Sequence, residues 1–160
     1  MGPASQISKA LDLPDVSQIG LIVRDMDRAV EYYEKIIGLG PFVRSDRDIE
    51  IVFDPVYYRG EKVDSTWIMA FASLGPVELE LIQPVKGPTI YHEFLERGGE
   101  GIQHLGFDVS DMEARIARYR GMGIEVIQQG RTPVGGFAYL DTEKIGGVVF
   151  ELIQRKARRV

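Results

Sequence analysis

The sequence predicts an α+β fold assembled from two tandem βαβββ modules, and three observations carry that expectation. Gln18-Ile19-Gly20-Leu21 returns 86 positions later as His104-Leu105-Gly106-Phe107, and in the same register Gly20 meets Gly106, Asp25-Met26 meets Asp111-Met112, and Tyr33 meets Tyr119. Each copy opens on a run whose apolar residues alternate with period two, the pattern of a half-buried strand. Each run is followed by a stretch with helical spacing and then by three further strand-like runs.

The first strands are predicted over residues 16–24 and 102–110. Asp25 and Asp111 then stand where an N-cap belongs, with carboxylates able to accept the free N–H groups of a first helical turn. The first helix sets Met26, Ala29, Val30, Tyr33 and Ile36 on one face and stops at Gly38-Leu39-Gly40. The second sets Met112, Ile116 and Tyr119 likewise and stops at Gly121-Met122-Gly123. The later strands fall at 42–44 or beyond, 67–73 and 77–83 in the first copy, and at 125–128, 137–140 and 148–153 in the second. Leu74-Gly75-Pro76 and Ile145-Gly146-Gly147 supply the turns before the last strand of each unit. The chain therefore divides into an N-terminal extension (1–15), a first module (16–84), a linker with a short helix around Tyr91 to Arg97 (85–101), a second module (102–154) and a basic tail (155–160) expected to be solvated.

Composition narrows the chemistry. A chain of 160 residues with 44% apolar content buries one good core or two small ones that share an interface. A net charge of -5 argues against a nucleic-acid surface, which needs concentrated Lys and Arg. Without cysteine there is no disulfide framework and no thiolate ligand or nucleophile, so any metal must be held by oxygen and nitrogen. No apolar run approaches the length of a bilayer span, and the first residues lack the pattern of a secretion signal. The expectation is a soluble, cytoplasmic protein without nucleic-acid or membrane partners.

Alternation assigns faces, because residues two apart share a side of a strand. Ile19, Leu21 and Val23 form the apolar set of the first strand, opposite Gln18 and Gly20. Leu105, Phe107 and Val109 do the same in its repeat, opposite His104, Gly106 and Asp108. In the last strands Leu79 and Leu81 oppose Glu78 and Glu80, while Phe150 and Leu152 oppose Glu151. Gln18, Glu80, His104 and Glu151 thus occupy the face away from the helices, and a pseudo-twofold arrangement brings all four together. Two carboxylates buried side by side are costly unless a cation lies between them. One imidazole and three oxygen donors suit Zn, Co, Ni, Mn or Fe(II), with open positions for water or substrate. Each residue alone has a blander explanation, a hydrogen-bonded core histidine or a solvated glutamate; the filling of symmetry-related positions by donors favours the metal.

These residues resemble the vicinal oxygen chelate superfamily, which includes glyoxalase I, methylmalonyl-CoA epimerase, extradiol dioxygenases and the bleomycin- and fosfomycin-resistance proteins. Phe94-Leu95-Glu96-Arg97-Gly98-Gly99-Glu100-Gly101-Ile102-Gln103-His104 is similar to the segment that carries a ligand histidine in the epimerase-like branch. Val77-Glu78-Leu79-Glu80-Leu81-Ile82-Gln83-Pro84 and Gly146-Gly147-Val148-Val149-Phe150-Glu151-Leu152 are similar to its two ligand strands. The resemblance implies a curved mixed β-sheet cup around a metal site, one divalent ion held by Gln18, Glu80, His104 and Glu151, and a homodimer. Position 18 departs from the epimerase pattern, which has His there; the resulting set resembles that of glyoxalase I, and it weakens a dioxygenase reading that would need a second His.

The implied function is a divalent-metal-dependent isomerase or epimerase that works through a metal-stabilised enolate on a 2-substituted acyl thioester, with acyl-CoA as the expected small-molecule partner. Glu151 is the first choice of catalytic base and Glu80 the second. Glu78, beside Glu80, either serves as a second acid or base or pairs with another group. Phe53, Tyr57 and Tyr58 in the long segment 49–66, with Trp67 beside it, either pack the core or wall a substrate site. The alternatives are a glyoxalase-I-like lyase and a non-catalytic binding protein of the resistance type.

Overall fold

The structure is a computed structural model that describes residues 10–160. In chain order its elements are β1 (Gln18–Ile22), α1 (Met26–Glu31) with a wider π-type continuation (Tyr32–Ile37), β2 (Val43–Arg44), β3 (Val56–Tyr58), β4 (Glu61–Val63), β5 (Thr66–Leu74), β6 (Val77–Lys86), α2 (Ile90–Gly98), β7 (Gly101–Asp108), α3 (Met112–Arg120), β8 (Val126–Thr132), β9 (Gly135–Leu140) and β10 (Val149–Gln154). Among the described residues the strands form one curled mixed sheet, in the order β2-β5-β6-β1-β7-β10-β9-β8-β3-β4. Part of the expected N-terminal extension, residues 1–9, lies outside the described residues.

The two repeats meet at the centre of this sheet. β1 and β7 pair antiparallel, with Gln18 opposite Gly106 and Gly20 opposite His104. On either side each is flanked in parallel by the last strand of its own repeat, β6 beside β1 and β10 beside β7. A parallel neighbour requires a crossover, and the helix of each repeat supplies it. The outer face carries two separate apolar clusters. Val23, Met26, Val30, Leu79 and Leu81 lie under α1 with Ile19 and Leu21 beside them. Met112, Ile116, Tyr119 and Leu152 lie under α3 with Val109 and Phe150. The faces predicted from alternation therefore hold.

A tetrapeptide links these helices to the last strands. Glu80-Leu81-Ile82-Gln83 recurs as Glu151-Leu152-Ile153-Gln154. The amide oxygen of Gln83 accepts the N–H of Met26 at 2.7 Å, and that of Gln154 accepts the N–H of Met112 at 3.0 Å. Asp25 caps α1 as expected, accepting from the Arg28 N–H at 3.1 Å. Asp111 does not cap α3: its carboxylate takes Arg115 Nε at 2.6 Å, and Gln154 serves the helix end instead.

Three further expectations are corrected. Ile36 was expected on the core face of the first helix but is 73% exposed, because the π-type turn adds a residue per turn and rotates the apolar stripe outward. The segment 49–66 contains the β3–β4 hairpin, which leaves its own repeat and pairs with β8 of the other, Val56 opposite Gly130 and Tyr58 opposite Gln128. Its turn is Arg59-Gly60, both at positive φ, the mirror-image geometry that suits a two-residue hairpin. The basic tail is not solvated at either end of the run. Arg155 holds Glu78 and Asp108 at 2.8 Å each with a side chain only 8% exposed, and the Arg159 guanidinium lies 4.8 Å from the centre of the Phe71 ring.

The concave face is partly covered. The chain between β2 and β3 crosses it, where Ile49, Ile51 and Phe53 pack against Met69, Phe137 and Tyr139. Phe53 stacks on Trp67 with ring centres 5.9 Å apart and meets Phe137 edge-on at 4.8 Å. These aromatic contacts hold the crossing segment against the sheet.

Candidate metal centre

Gln18, Glu80, His104 and Glu151 all point to the concave face and all are buried. One ligand atom from each of Glu80, His104 and Glu151 lies within 4.8 Å of the others, which makes these three a group able to hold a metal ion. His104 Nε2 is 3.1 Å from Glu80 Oε2 and 3.4 Å from Glu151 Oε2. Room for the imidazole comes from the facing strand: a β carbon at Gly20 would stand 1.9 Å from His104 Cε1. The repeat does the same in reverse, where a β carbon at Gly106 would stand 3.0 Å from Gln18 Cβ.

Hydrogen bonds orient the donors. The Gln18 amide nitrogen donates to Glu78 Oε1 at 2.7 Å. A carboxylate only accepts, so this bond turns Gln18 Oε1 away as the free atom. That oxygen is buried with no hydrogen-bond partner among the described residues, and so is Glu151 Oε2. Unpaired buried oxygens are expensive unless something electropositive meets them. Gln103 fixes the histidine: its amide nitrogen donates to the Ile90 carbonyl at 3.2 Å, so its oxygen is the atom 3.0 Å from His104 Nδ1. Nδ1 therefore carries hydrogen, and Nε2 is the nitrogen left to bind a metal.

Electrostatics match this arrangement. Burial and the charge of Glu80 push the Glu151 carboxyl up to about 8, against the opposing pull of His104. Burial alone would lower His104, but the charges of Glu151 and Glu80 and the Glu80 hydrogen bond outweigh it and raise the group. Without metal, these influences favour protons on Glu151 and His104; a divalent ion is the alternative occupant. The donor chemistry fits such an ion: two carboxylates, one imidazole with a fixed tautomer, and one amide oxygen with nothing else to bind.

The cavity above the centre is about 530 Å³ and is lined by Gln18, Glu80 and Glu151, by Trp67, Met69, Tyr91, Phe137 and Tyr139, by the crossing segment 49–53, and by Arg155, Ala157 and Arg159 of the tail. Of the aromatic residues expected there, Phe53 and Trp67 line the cavity. Tyr57 and Tyr58 do not, since their strand lies at the far end of the sheet, where the Tyr58 hydroxyl bonds Glu93. Glu78 is also absent from the cavity. It is fully buried, and its oxygens are committed to Gln18, to Arg155 at 2.8 Å and to the Arg159 N–H at 3.0 Å. Tyr91, Tyr139 and Gln103 were missed by sequence reasoning. For Gln103 the reason is a bulge: Gly20 faces His104 but Leu21 faces Ile102, so residue 103 leaves the ladder and swings beside the histidine.

A family model described as the Glyoxalase/Bleomycin resistance protein/Dioxygenase superfamily matches residues 17–139. The chain belongs to that superfamily. The chain is similar to the uncharacterized protein YqjC of Bacillus subtilis, 26% identical over 144 residues that cover 88% of this chain and 92% of that one. Among solved structures, the superfamily fold seen here is similar to the methylmalonyl-CoA epimerase of Mycobacterium tuberculosis, with TM-score 0.63, 21% identity and coverage of 91% and 90% of the two chains. It is also similar to a variant of the Streptomyces coelicolor methylmalonyl-CoA epimerase in complex with 2-nitronate-propionyl-CoA, with TM-score 0.65, 22% identity and coverage of 91% and 100%. At these identities the likeness establishes the shared curled-sheet fold. No helix among the described residues is long and apolar enough to cross a membrane.

Proposed function

We propose that the protein is a divalent-metal-dependent isomerase or epimerase that acts on a 2-substituted acyl thioester through an enolate. The observation that carries this reading is the meeting of two carboxylates and one Nε2, with the unpaired oxygens of Gln18 and Glu151 beside them, at the floor of an otherwise largely apolar cavity. A divalent ion held by Gln18, Glu80, His104 and Glu151 would supply charge stabilisation to a developing enolate oxygen. The similarity to epimerases, one of them in complex with an acyl-CoA analogue, supports the substrate class.

The remaining chemistry belongs to the chain. Glu151 takes the α-proton: the C–H electron pair passes into the carbonyl group, and the proton resides on the carboxylate. The proton that burial otherwise favours on this carboxyl would be displaced by a divalent ion beside it, leaving the carboxylate ionised to act as the base. Glu80, on the other side of His104 Nε2, is the second carboxylate able to return the α-proton. β5 contributes Trp67 and Met69 to the cavity and no ionisable group; the carboxylate of the lining outside the proposed metal ligands is Glu50, on the crossing segment. The aromatic walls and the crossing segment give the reacting carbon a largely apolar surrounding.

The test is α-proton exchange. Metal-loaded protein in deuterated water should incorporate deuterium into 2-methyl-branched acyl-CoA thioesters, and Glu151→Gln should reduce the rate by about 100-fold or more. No exchange across such a panel, with metal bound, rejects the reading. The Gln18 position favours one second reading, a glyoxalase-I-like lyase, which turnover of a hemithioacetal followed by absorbance would reveal.

A further inference from the structure

Two guanidinium groups line the cavity, those of Arg155 and Arg159. The first is spent: its fork holds Glu78 at 2.8 Å and Asp108 at 2.8 and 3.0 Å. Arg159 differs. Its backbone N–H donates to Glu78 Oε2 at 3.0 Å, which ties the tail to the floor beneath Gln18, and its guanidinium rests over Phe71. Among the described residues no carboxylate or carbonyl accepts from that guanidinium. A cation held on an aromatic face keeps its N–H groups available, and the planar fork of arginine matches a carboxylate in shape.

Arg155 is paired with Glu78 and Asp108, so Arg159 is the arginine of the cavity wall whose guanidinium has no carboxylate on it among the described residues. We propose that Arg159 is a specificity-determining residue that anchors a carboxylate on the ligand, so that the site selects a carboxylate-bearing acyl compound over its neutral analogue. This rests on the reading of the same cavity as the substrate site.

Trp67 is the chain's one tryptophan and lines the cavity, so its fluorescence reports ligand entry without turnover. Metal-loaded wild type, Arg159→Gln and Arg159→Lys are titrated with the malonyl and acetyl thioesters of N-acetylcysteamine. The wild type should bind the malonyl compound more tightly. Arg159→Gln should reduce that preference about tenfold while leaving acetyl binding unchanged, and Arg159→Lys should retain part of it. No wild-type preference, an unchanged ratio in Arg159→Gln, or equal weakening of both ligands, as expected if the tail only shapes the wall, overturns the proposal. Because the readout is affinity, a preference that follows Arg159 stands even if α-proton exchange fails, whereas exchange with an unaltered ratio rejects the anchor alone.

Discussion

The imidazole of His104 occupies the space that a side chain at position 20 would fill, with an added β carbon at Gly20 falling 1.9 Å from Cε1. Gly20→Ala should therefore displace the ring rather than strain the backbone. We expect metal affinity to fall by about 10- to 100-fold, with a stability loss of about 1–3 kcal/mol from overpacking. Metal titration by calorimetry and urea unfolding check the two halves separately. Unchanged affinity would mean that His104 has another place to go.

The second prediction concerns pH. Glu151 in the metal-free fold is raised from 4.5 to about 8, so the folded state holds a proton that the unfolded chain releases. Stability linked to this group is complete below about pH 4.5 and is lost as pH rises through about 8; His104, also raised, acts in the same sense above 6.5. Metal binding expels those protons, so affinity should climb with pH and level off above about 8. Thermal unfolding with and without metal, at about pH 6 and about pH 8.5, should show a gap that widens at the higher pH. A gap independent of pH would contradict the buried-proton arrangement.

Gln103→Leu tests the tautomer. Removing the acceptor for Nδ1–H frees the histidine to protonate either nitrogen and leaves that hydrogen unpaired in a buried place. The expected result is about a tenfold loss of metal affinity with Gln103→Glu restoring part of it, measured by competition with a chromogenic chelator. Equal affinity in the leucine variant would assign Gln103 to the Ile90 contact alone.

Arg155 supports the floor from below. Arg155→Ala leaves Glu78, which is fully buried, without its main counter-charge, and should cost about 3–5 kcal/mol in urea unfolding. Combining it with Glu78→Gln should recover much of that loss, because the uncompensated charge is removed with its partner. Additive losses would show that packing of the arginine stem, not charge, is what matters.

Much of this was legible in the chain. The repeat register, the helix-covered faces and the convergence of Gln18, Glu80, His104 and Glu151 followed from alternation, since a strand with one buried face cannot slip by one residue. What escaped notice were features that break alternation or depend on distant chain. Gln103 sits in a bulge. The β3–β4 hairpin turns on Arg59-Gly60, whose first residue lacks the Asn or Asp that usually signals such a turn. The tail looked like solvated charge because Glu78 and Asp108, which neutralise Arg155, lie 77 and 47 positions away.

The direct pairing of β1 with β7 places every donor of the centre on one polypeptide. A single molecule therefore brings together all four donors of the proposed site, and dilution does not take that arrangement apart. At a fixed free metal concentration, metal content per chain should be the same at nanomolar and millimolar protein, whatever association the surface supports.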